Sequence, residues 1–266
     1  MMIIENVHGP VHQYQLVRRI FKRDVYTTAA YFVDGLLIDT GFKHIANRFF
    51  QTLRLQPIEQ IAHTHAHEDH IGANFLFQKY MGIKAHAHEM AVDRIVHPPD
   101  RLRMYRRVVW GLPKSAETVP ITEQLLTNKY AFQVLKLPGH SDDHIGFYEP
   151  DEGWLFGGDL FLSVKVKVLK YDENIHDWID SLKKVVDLPM SCYFCSSGKI
   201  INHPGRLLKL KLEYYEDVKQ KVLQLYYHGW KLREIRDQVL GKEPALTYLS
   251  QGEFSKLNLV KAVACP

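Results

Sequence analysis

The amino-acid sequence predicts an α/β protein, because short strand-like and helical segments alternate along most of the chain. From Pro204 onward the pattern changes to helices alone. The 266 residues include 46% hydrophobic residues, which is enough to bury a sizeable core. We therefore expect one large domain over residues 1–203 and a C-terminal helical extension over residues 204–266.

The first predicted element is a β-hairpin. Its strands are Tyr26–Val33 and Leu36–Asp39, and Asp34 and Gly35 stand between them. Asp-Gly is a strong signal for a two-residue turn, because both positions of that turn require a positive φ.

Two short strands and two helices are expected next. Ile58, Ile61 and Ala62 indicate a strand that delivers a group of histidines at its carboxyl end. Helices are predicted over residues 74–80 and 89–96, separated by a strand at residues 83–85. His86 and His88 follow this strand without an Asp-His pair, so we expect them to be structural.

Two further strands each lead into a polar residue on a turn. The apolar run from Phe132 to Leu137 precedes Pro138-Gly139-His140. Trp154-Leu155-Phe156 precedes Gly157-Gly158-Asp159, where two glycines let the backbone approach closely.

The last predicted element of note is a long helix after Pro204. Its apolar residues recur mostly at intervals of three and four, as on a helix with one buried face. These residues are Leu207, Leu210, Tyr214, Val218, Val222, Leu225 and Tyr226. Shorter helices follow at residues 232–240 and 254–263.

The segment that begins at His65 has the pattern H-x-H-x-D-H, which ends in Asp69 and His70. Imidazole nitrogens suit zinc and iron, and a carboxylate balances the charge of a divalent ion. His65 and His67, two apart on an extended segment, can point the same way and bind one ion. His63 continues the alternation but is expected to be a strand residue, because only the register from His65 ends in the Asp-His pair.

With these motifs the chain resembles the metallo-β-lactamase superfamily from about Tyr14 to Ile201. The resemblance implies a four-layered αβ/βα sandwich with metal ions at one edge. It also implies that one ion is held by His65, His67 and His140, and a second by Asp69 and His70, with Asp159 bridging the two. Asp39, in Ile38-Asp39-Thr40-Gly41, would support the ligands from behind or simply cap its own turn.

One departure from the family pattern concerns the last ligand, which is usually a histidine in a Gly-His-Gly turn. Here the stretch is Cys195-Ser196-Ser197-Gly198, so Ser197 stands at the position of that histidine. A hydroxyl is a poorer zinc ligand than imidazole, and the second site should be weakened or empty. His203 is expected to lead into the next helix instead of replacing the ligand.

The predicted function is metal-dependent hydrolysis of a small molecule. One or two zinc ions would activate water for attack on an ester, thioester, lactone or related bond. Asp69 is the candidate catalytic residue that orients this water and moves its proton, besides its role as a ligand. The chain lacks the Gly-Cys-Gly-Arg stretch expected of glyoxalase II enzymes after Asp159.

Two other functions stay open. His65, His140 and Asp159 form a two-His, one-carboxylate set, which resembles the iron sites of persulfide dioxygenases in the superfamily. Iron is therefore the alternative metal. A nucleic-acid phosphodiesterase is the third candidate, since four arginines between residues 101 and 107 could form a basic lid over the metal edge.

A small-molecule substrate is expected and nucleic acid is an unlikely partner, since the net charge of +4 is mild and does not by itself demand nucleic acid. No stretch approaches the roughly 20 apolar residues of a membrane span, and the first residues lack a signal-peptide pattern. Three cysteines suit a reducing compartment, so a cytoplasmic location is expected. The resemblance also allows a homodimer formed through the helical extension.

Overall fold

The computed structural model describes residues 1–265 and divides the chain into two units. The first unit contains Met1–Lys136, Asp143–Asp159 and Met190–Asn202. The second unit contains Leu137–Asp142, Leu160–Pro189 and the chain from His203 onward. The boundary predicted after residue 203 between a catalytic domain and an extension stays a prediction.

The first unit is built on a seven-stranded sheet whose strands follow one another in chain order. Its first four strands are antiparallel, and the fourth to seventh are parallel. The strands are β1 (Met2–His8), β2 (Val11–Ile20), β3 (Arg23–Val33), β4 (Leu36–Ile38), β5 (Gln60–Ala62), β6 (Ala85–Ala87) and β7 (Thr118–Pro120).

The turn between β3 and β4 confirms the predicted hairpin. Val33 pairs with Leu36, and Asp34 and Gly35 have φ values of 45° and 82°. Positive φ at both positions is what a two-residue turn of this kind requires. The strand predicted at residues 83–85 is β6, which begins two residues later at Ala85.

A second sheet of six strands completes the first unit. Its order is β14-β13-β11-β10-β9-β8, and only the β11–β13 pair is parallel. In chain order the strands from the eighth onward are β8 (Gln124–Leu126), β9 (Ala131–Lys136), β10 (Ile145–Glu149), β11 (Trp154–Phe156), β12 (Leu169–Lys170, in the second unit), β13 (Cys192–Phe194) and β14 (Ile200–Asn202).

Apolar side chains from the two sheets of the first unit meet in one core. Tyr31 and Ile38 of the first sheet join Phe156 and Phe194 of the second. The Phe156 and Phe194 rings stack with centroids 4.5 Å apart. Residues alternate between faces along a strand, so Phe32, next to Tyr31, belongs to the core on the other face of the first sheet.

Four helices of the first unit accompany the first sheet, and the first two pack on its outer face through residues such as Phe49 and Phe77. The helices predicted at residues 74–80 and 89–96 are confirmed. These elements are α1 (Ala46–Leu53), α2 (Asn74–Met81), α3 (Glu89–Val96) and α4 (Met104–Val109), and a 3-10 turn at Lys43–Ile45 precedes α1.

The second unit is mainly helical, as expected for the C-terminal region. In the part of the chain up to residue 265, no helix is both long and apolar enough to span a membrane. Its helices are α5 (Ile175–Val186), α6 (Gly205–Tyr227), α7 (Leu232–Val239), α8 (Ala245–Leu249) and α9 (Lys256–Ala264), and β12 pairs antiparallel with β15 (Phe254–Ser255).

The long helix α6 is confirmed, but the predicted buried face is wrong in its first half. Leu210, predicted to be buried, is 39% exposed, whereas Lys211 is fully buried. The Lys211 Nζ lies 4.9 Å from the centroid of the Trp178 ring and 5.0 Å from that of Tyr215. Contacts between the ammonium group and aromatic faces allow a charged residue to occupy the buried stripe. The buried positions are Leu208, Lys211, Tyr215, Val218 and Val222.

Candidate metal centre

The predicted metal-binding motif occupies an irregular segment that follows β5. Because β4 and β5 are parallel with Ile38 opposite Ala62, the residues that follow the two strands emerge at the same edge of the sheet. The Asp39 amide donates to the Ala62 carbonyl at 2.9 Å, and the Thr40 amide donates to the His70 carbonyl at 2.6 Å. These bonds fix both ends of the motif segment beside Asp39.

Asp39 binds the motif through its side chain. Its carboxylate accepts hydrogen bonds from the Thr64 amide and hydroxyl, each at 2.9 Å, and lies 2.7 Å from His70 Nδ1. Asp39 therefore supports a predicted ligand from behind. Its φ of 62° is left-handed, a strain of about 1–3 kcal/mol that is typical of functional sites.

His63 also lies behind the motif. Its Nδ1 is 3.7 Å from Asp39 Oδ1, and neither ring nitrogen has a hydrogen-bond partner. His63 immediately follows β5 and is fully buried, so it faces the protein interior.

His65 and His67 point toward each other, with His65 Nε2 2.9 Å from His67 Nδ1. On the other side of the His65 ring, Nδ1 lies 3.1 Å from the Thr64 hydroxyl. Asp143 accepts a 2.9 Å hydrogen bond from the Ala66 amide and so fixes the backbone between the two histidines. That the two histidines bind one ion stays a prediction.

Asp159 reaches the site from the end of β11. The two glycines before it are needed for close approach, because a Cβ on Gly157 would lie 2.3 Å from the Tyr193 side chain, and one on Gly158 2.6 Å from His144 Nε2. The Asp159 amide donates to that same His144 nitrogen at 3.0 Å. The predicted role of these glycines is therefore confirmed.

His65, His70 and Asp159 form a buried cluster in which one ligand atom from each residue lies within 4.8 Å of the others. His70 Nε2 has no hydrogen-bond partner, and the nearest carboxylate oxygens belong to Asp69 at 3.4 Å and Asp159 at 3.7 Å. An orphaned, fully buried ring nitrogen facing two carboxylates suits a cation. The donors of this cluster therefore fit a divalent transition-metal ion.

In the metal-free protein, the charged forms of Asp39, Asp69 and His70 stabilise one another. Burial alone would raise the pKa of the Asp39 and Asp69 carboxyl groups, but the neighbouring His70 outweighs it and holds both below their ordinary values. Burial alone would lower the pKa of His70, and the charges of Asp39 and Asp69 raise it well above its ordinary value. A metal ion has to displace the proton from His70 Nε2.

Two hydroxyl groups that sequence reasoning missed bind the carboxylates of the site. The Tyr26 hydroxyl donates to Asp69 Oδ2, and the Ser196 hydroxyl donates to Asp159 Oδ1. Burial and the charges of Asp69 and Asp159 raise the pKa of Tyr26 well above its ordinary value, so the hydroxyl keeps its proton. Sequence offers little signal for Tyr26, since it stands 43 positions before Asp69.

The serine that touches the site is Ser196 and not Ser197, which stands in the sequence at the position of the usual last histidine. The Ser197 hydroxyl lies 3.0 Å from Cys195 Sγ instead. The Ser196 amide donates to the Gly158 carbonyl at 3.2 Å, which directs this residue toward Asp159. Pro204 caps helix α6, so His203 precedes that helix as expected.

His140 belongs to the second unit, where it lies on the predicted turn after β9. Its Nδ1 lies 2.7 Å from Glu173 Oε1. Gly139 has a φ of 134°, and a Cβ there would lie 2.5 Å from the Trp178 backbone of α5. The Asn174 amide donates to the Gly139 carbonyl at 2.8 Å and fixes the turn from the same helix start.

One of the four arginines of the suggested basic lid is buried, and the lid itself stays a prediction. Arg106 is buried and donates to Glu68 within the motif segment, and its guanidinium lies 5.0 Å from the Trp110 ring centroid. Arg101 and Arg107 are exposed. Arg106 therefore stabilises the motif loop, and its charge is already compensated by a carboxylate.

The chain is therefore an α/β protein with two facing sheets, and its histidine and aspartate cluster lies where the strands end. The chain belongs to the metallo-beta-lactamase superfamily, because the model of that family matches residues 23–197.

Solved structures of this family share the fold. A metallo-beta-lactamase family protein from Thermus thermophilus has a TM-score of 0.66 at 19% identity, covering 95% of this chain and 91% of that one. A metallo-beta-lactamase from Pontibacter korlensis has a TM-score of 0.63 at 18% identity, covering 81% and 99%. The predicted fold class, an αβ/βα sandwich with a C-terminal helical extension, is confirmed.

Curated relatives match this chain over part of their length. A beta-lactamase-like protein 2 homolog from Drosophila melanogaster is 25% identical over 202 residues, 72% of this chain and 64% of the relative. A hydroxyacylglutathione hydrolase from Legionella pneumophila (strain Lens) is 28% identical over 160 residues, 60% and 55% respectively. The probable metallo-hydrolase YybB from Bacillus subtilis (strain 168) is 26% identical over 190 residues, 69% and 84%. The chain spans less than two thirds of the first two relatives.

Proposed function

We propose that the protein is a metal-dependent hydrolase that acts on an ester, thioester or lactone bond of a small molecule. The observation that carries this proposal is the orphaned Nε2 of His70, which faces Asp69 and Asp159 while Asp39 holds the opposite ring nitrogen. A ring held in this way by a carboxylate directs Nε2 at a metal ion, which binds once it has displaced the proton from that nitrogen.

The metal ligands we propose are those expected from the sequence. His65, His67 and His140 would hold one ion, and Asp69 and His70 would contribute to a second, with Asp159 between them. Zinc is the first candidate because its protein ligands are nitrogen, sulfur and carboxylate oxygen. When bound, zinc lowers the pKa of a coordinated water molecule to about 7 and polarises a substrate carbonyl.

The side chains around the metal have separate roles in this proposal. The Asp69 carboxylate orients the attacking water and accepts its proton. The Tyr26 hydroxyl holds the Asp69 side chain in place, and the Ser196 hydroxyl does the same for Asp159. Each hydroxyl binds the carboxylate oxygen that faces His70, so an ion bound beside His70 would share that oxygen with a hydroxyl hydrogen.

A thioester is the first substrate class to test. The similarity to hydroxyacylglutathione hydrolases supports it, although the matched region covers 55% of the first of those relatives. The absence of a Gly-Cys-Gly-Arg stretch after Asp159 does not exclude thioester hydrolysis. The cytoplasmic location and the homodimer expected from the sequence stay predictions.

The test is a hydrolysis assay with full-length protein loaded with zinc. The substrates are a glutathione thioester, a p-nitrophenyl ester and an acyl homoserine lactone, and each is assayed before and after chelation. We expect metal-dependent turnover of at least one substrate. Asp69→Ala should abolish this turnover, and Asp24→Asn should keep it, because Asp24 is an exposed carboxylate on the β2–β3 hairpin. Full activity of Asp69→Ala would overturn the role of that residue.

A mononuclear iron dioxygenase is the second candidate. His65, His70 and Asp159 form a two-His, one-carboxylate cluster, the donor set of many non-haem iron oxygenases. One iron per chain together with oxygen consumption in the presence of a persulfide would support this function. Zinc-supported hydrolysis without oxygen consumption would exclude it.

A further inference from the structure

The C-terminal segment and the His140 turn are linked through Glu173. We propose that Glu173, held in place by the segment Phe254–Ala264, is a positioning residue that orients the His140 ring for metal binding. This inference rests on the proposed function, in which His140 is a metal ligand. It assigns a role to the C-terminal segment, which lies beyond the family match at residues 23–197.

The contact between Glu173 and His140 is close and shielded from water. Glu173 Oε1 lies 2.7 Å from His140 Nδ1, and the two side chains are 5% and 10% exposed. A carboxylate this close to Nδ1 restrains the ring and favours the tautomer with its hydrogen on that nitrogen, so that Nε2 is the atom that can bind a metal. The close contact between Glu173 and His140 therefore favours the tautomer that a metal ligand needs.

The second oxygen of the Glu173 carboxylate is anchored on the backbone. Oε2 accepts a hydrogen bond from the Lys170 amide at 2.9 Å, and the Glu173 amide donates to the Lys170 carbonyl at 3.2 Å. The two bonds close a tight turn at the end of β12. Because the carboxylate is bound by the Lys170 amide, its position depends on the position of β12.

The strand β12 is in turn held by the C-terminal segment. Leu169 pairs with Ser255, and Lys170 pairs with Phe254. The Asn258 side chain of α9 adds a hydrogen bond to the Leu169 carbonyl at 3.1 Å. A strand of two residues is too short to keep its place alone, so the pairing with β15 and the Asn258 bond fix the turn that carries Glu173.

The experiment measures zinc affinity by competition with a chromophoric chelator, using full-length protein stripped of metal. The variants are Glu173→Ala, Glu173→Gln and His140→Ala, and the control is Asp180→Asn, which removes an exposed carboxylate from α5. We expect Glu173→Ala to weaken zinc binding about 10–100-fold. Glu173→Gln keeps an acceptor oxygen and should retain more affinity, and Asp180→Asn should match the wild type.

A spectroscopic measurement distinguishes a change in the orientation of the His140 ring from a loss of protein stability. In the cobalt-loaded protein, Glu173→Ala should shift the visible absorption bands toward those of His140→Ala, because the ring no longer holds its ligand position. A melting curve of each metal-free variant shows whether it is folded. The Glu173→Gln protein provides the comparison if Glu173→Ala does not fold.

The outcomes distinguish this inference from the function on which it rests. If His140→Ala binds zinc as tightly as the wild type, His140 is not a ligand and the proposed ligand set fails. If His140→Ala weakens binding but Glu173→Ala and Glu173→Gln do not, the positioning role of Glu173 is overturned. Asn258→Ala should weaken zinc binding less than Glu173→Ala, and unchanged affinity would overturn the role of the C-terminal segment.

Discussion

Replacing Asp39 by asparagine should weaken metal binding without changing any proposed ligand. The asparagine keeps one oxygen for the Thr64 amide, but its amide nitrogen replaces an oxygen that now lies 2.7 Å from His70 Nδ1. Two N–H groups cannot face each other, so the His70 ring has to move its hydrogen to Nε2. That nitrogen is the one that faces Asp69 and Asp159 in the metal centre.

The magnitude follows from the bonds that are lost. The hydrogen bond between His70 and the Asp39 carboxylate contributes about 1.5–3 kcal/mol to the free energy of unfolding. Removing a partner of this kind from a metal-ligating histidine costs about 10–100-fold in metal affinity. We therefore expect Asp39→Asn to lose about 1.4–2.7 kcal/mol of zinc-binding free energy.

The assay combines urea unfolding of the metal-free protein with zinc titration against a competing chelator. Asp24→Asn is the matched control, since Asp24 pairs with Arg19 on the surface and its side chain is 47% exposed. Zinc affinity equal to that of the wild type in a folded Asp39→Asn protein would refute the argument that Asp39 sets the His70 tautomer.

Three further predictions follow from the site and its supporting turns. Tyr26→Phe keeps the ring but removes the hydrogen bond to Asp69, so kcat for the hydrolysed substrate should fall about 10–100-fold with little change in KM. An unchanged kcat would show that Asp69 does not need this hydrogen bond. Gly139→Ala introduces a Cβ 2.5 Å from the α5 backbone at a φ of 134°, so it should lower the free energy of unfolding by at least about 1–3 kcal/mol. Gly205→Ala should not, because a Cβ there has nothing within 4 Å. Equal urea midpoints of the two variants would contradict this prediction. In the metal-free protein the lowered pKa of Asp69 stabilises the fold above pH about 4, and this contribution is lost as the pH falls through the folded-state pKa. The raised pKa of His70 stabilises the fold below pH about 6.5, and that contribution is lost as the pH rises through the folded-state pKa of His70. Urea midpoints should therefore be highest between these limits without metal, and the gain from zinc should grow with pH; midpoints independent of pH would contradict the assignment.

The parts of the site that sequence could predict are those encoded by adjacent residues. The motif from His65 to His70 and the two glycines before Asp159 carry their geometry in their spacing. The hairpin at Asp34 and Gly35 is equally local, since the turn depends only on the φ values that two residues tolerate.

Other features depend on packing between distant segments and have no local signal. Whether Ser196 or Ser197 faces Asp159 is decided by one hydrogen bond to Gly158, and a shift of one residue cannot be detected in the sequence. The buried face in the first half of α6 includes Lys211, which an apolar pattern cannot identify because the burial depends on aromatic rings around its ammonium group. Tyr26 touches the site only because β3 passes beside the motif loop.

The most direct test of the account is the metal content of full-length protein loaded with zinc and then freed of excess metal. We expect at least one tightly bound zinc ion per chain, lost when the cluster residue His65 is replaced by alanine. Failure of the wild-type protein to retain any zinc, iron or other transition-metal ion would contradict the central claim that this buried cluster is a metal centre.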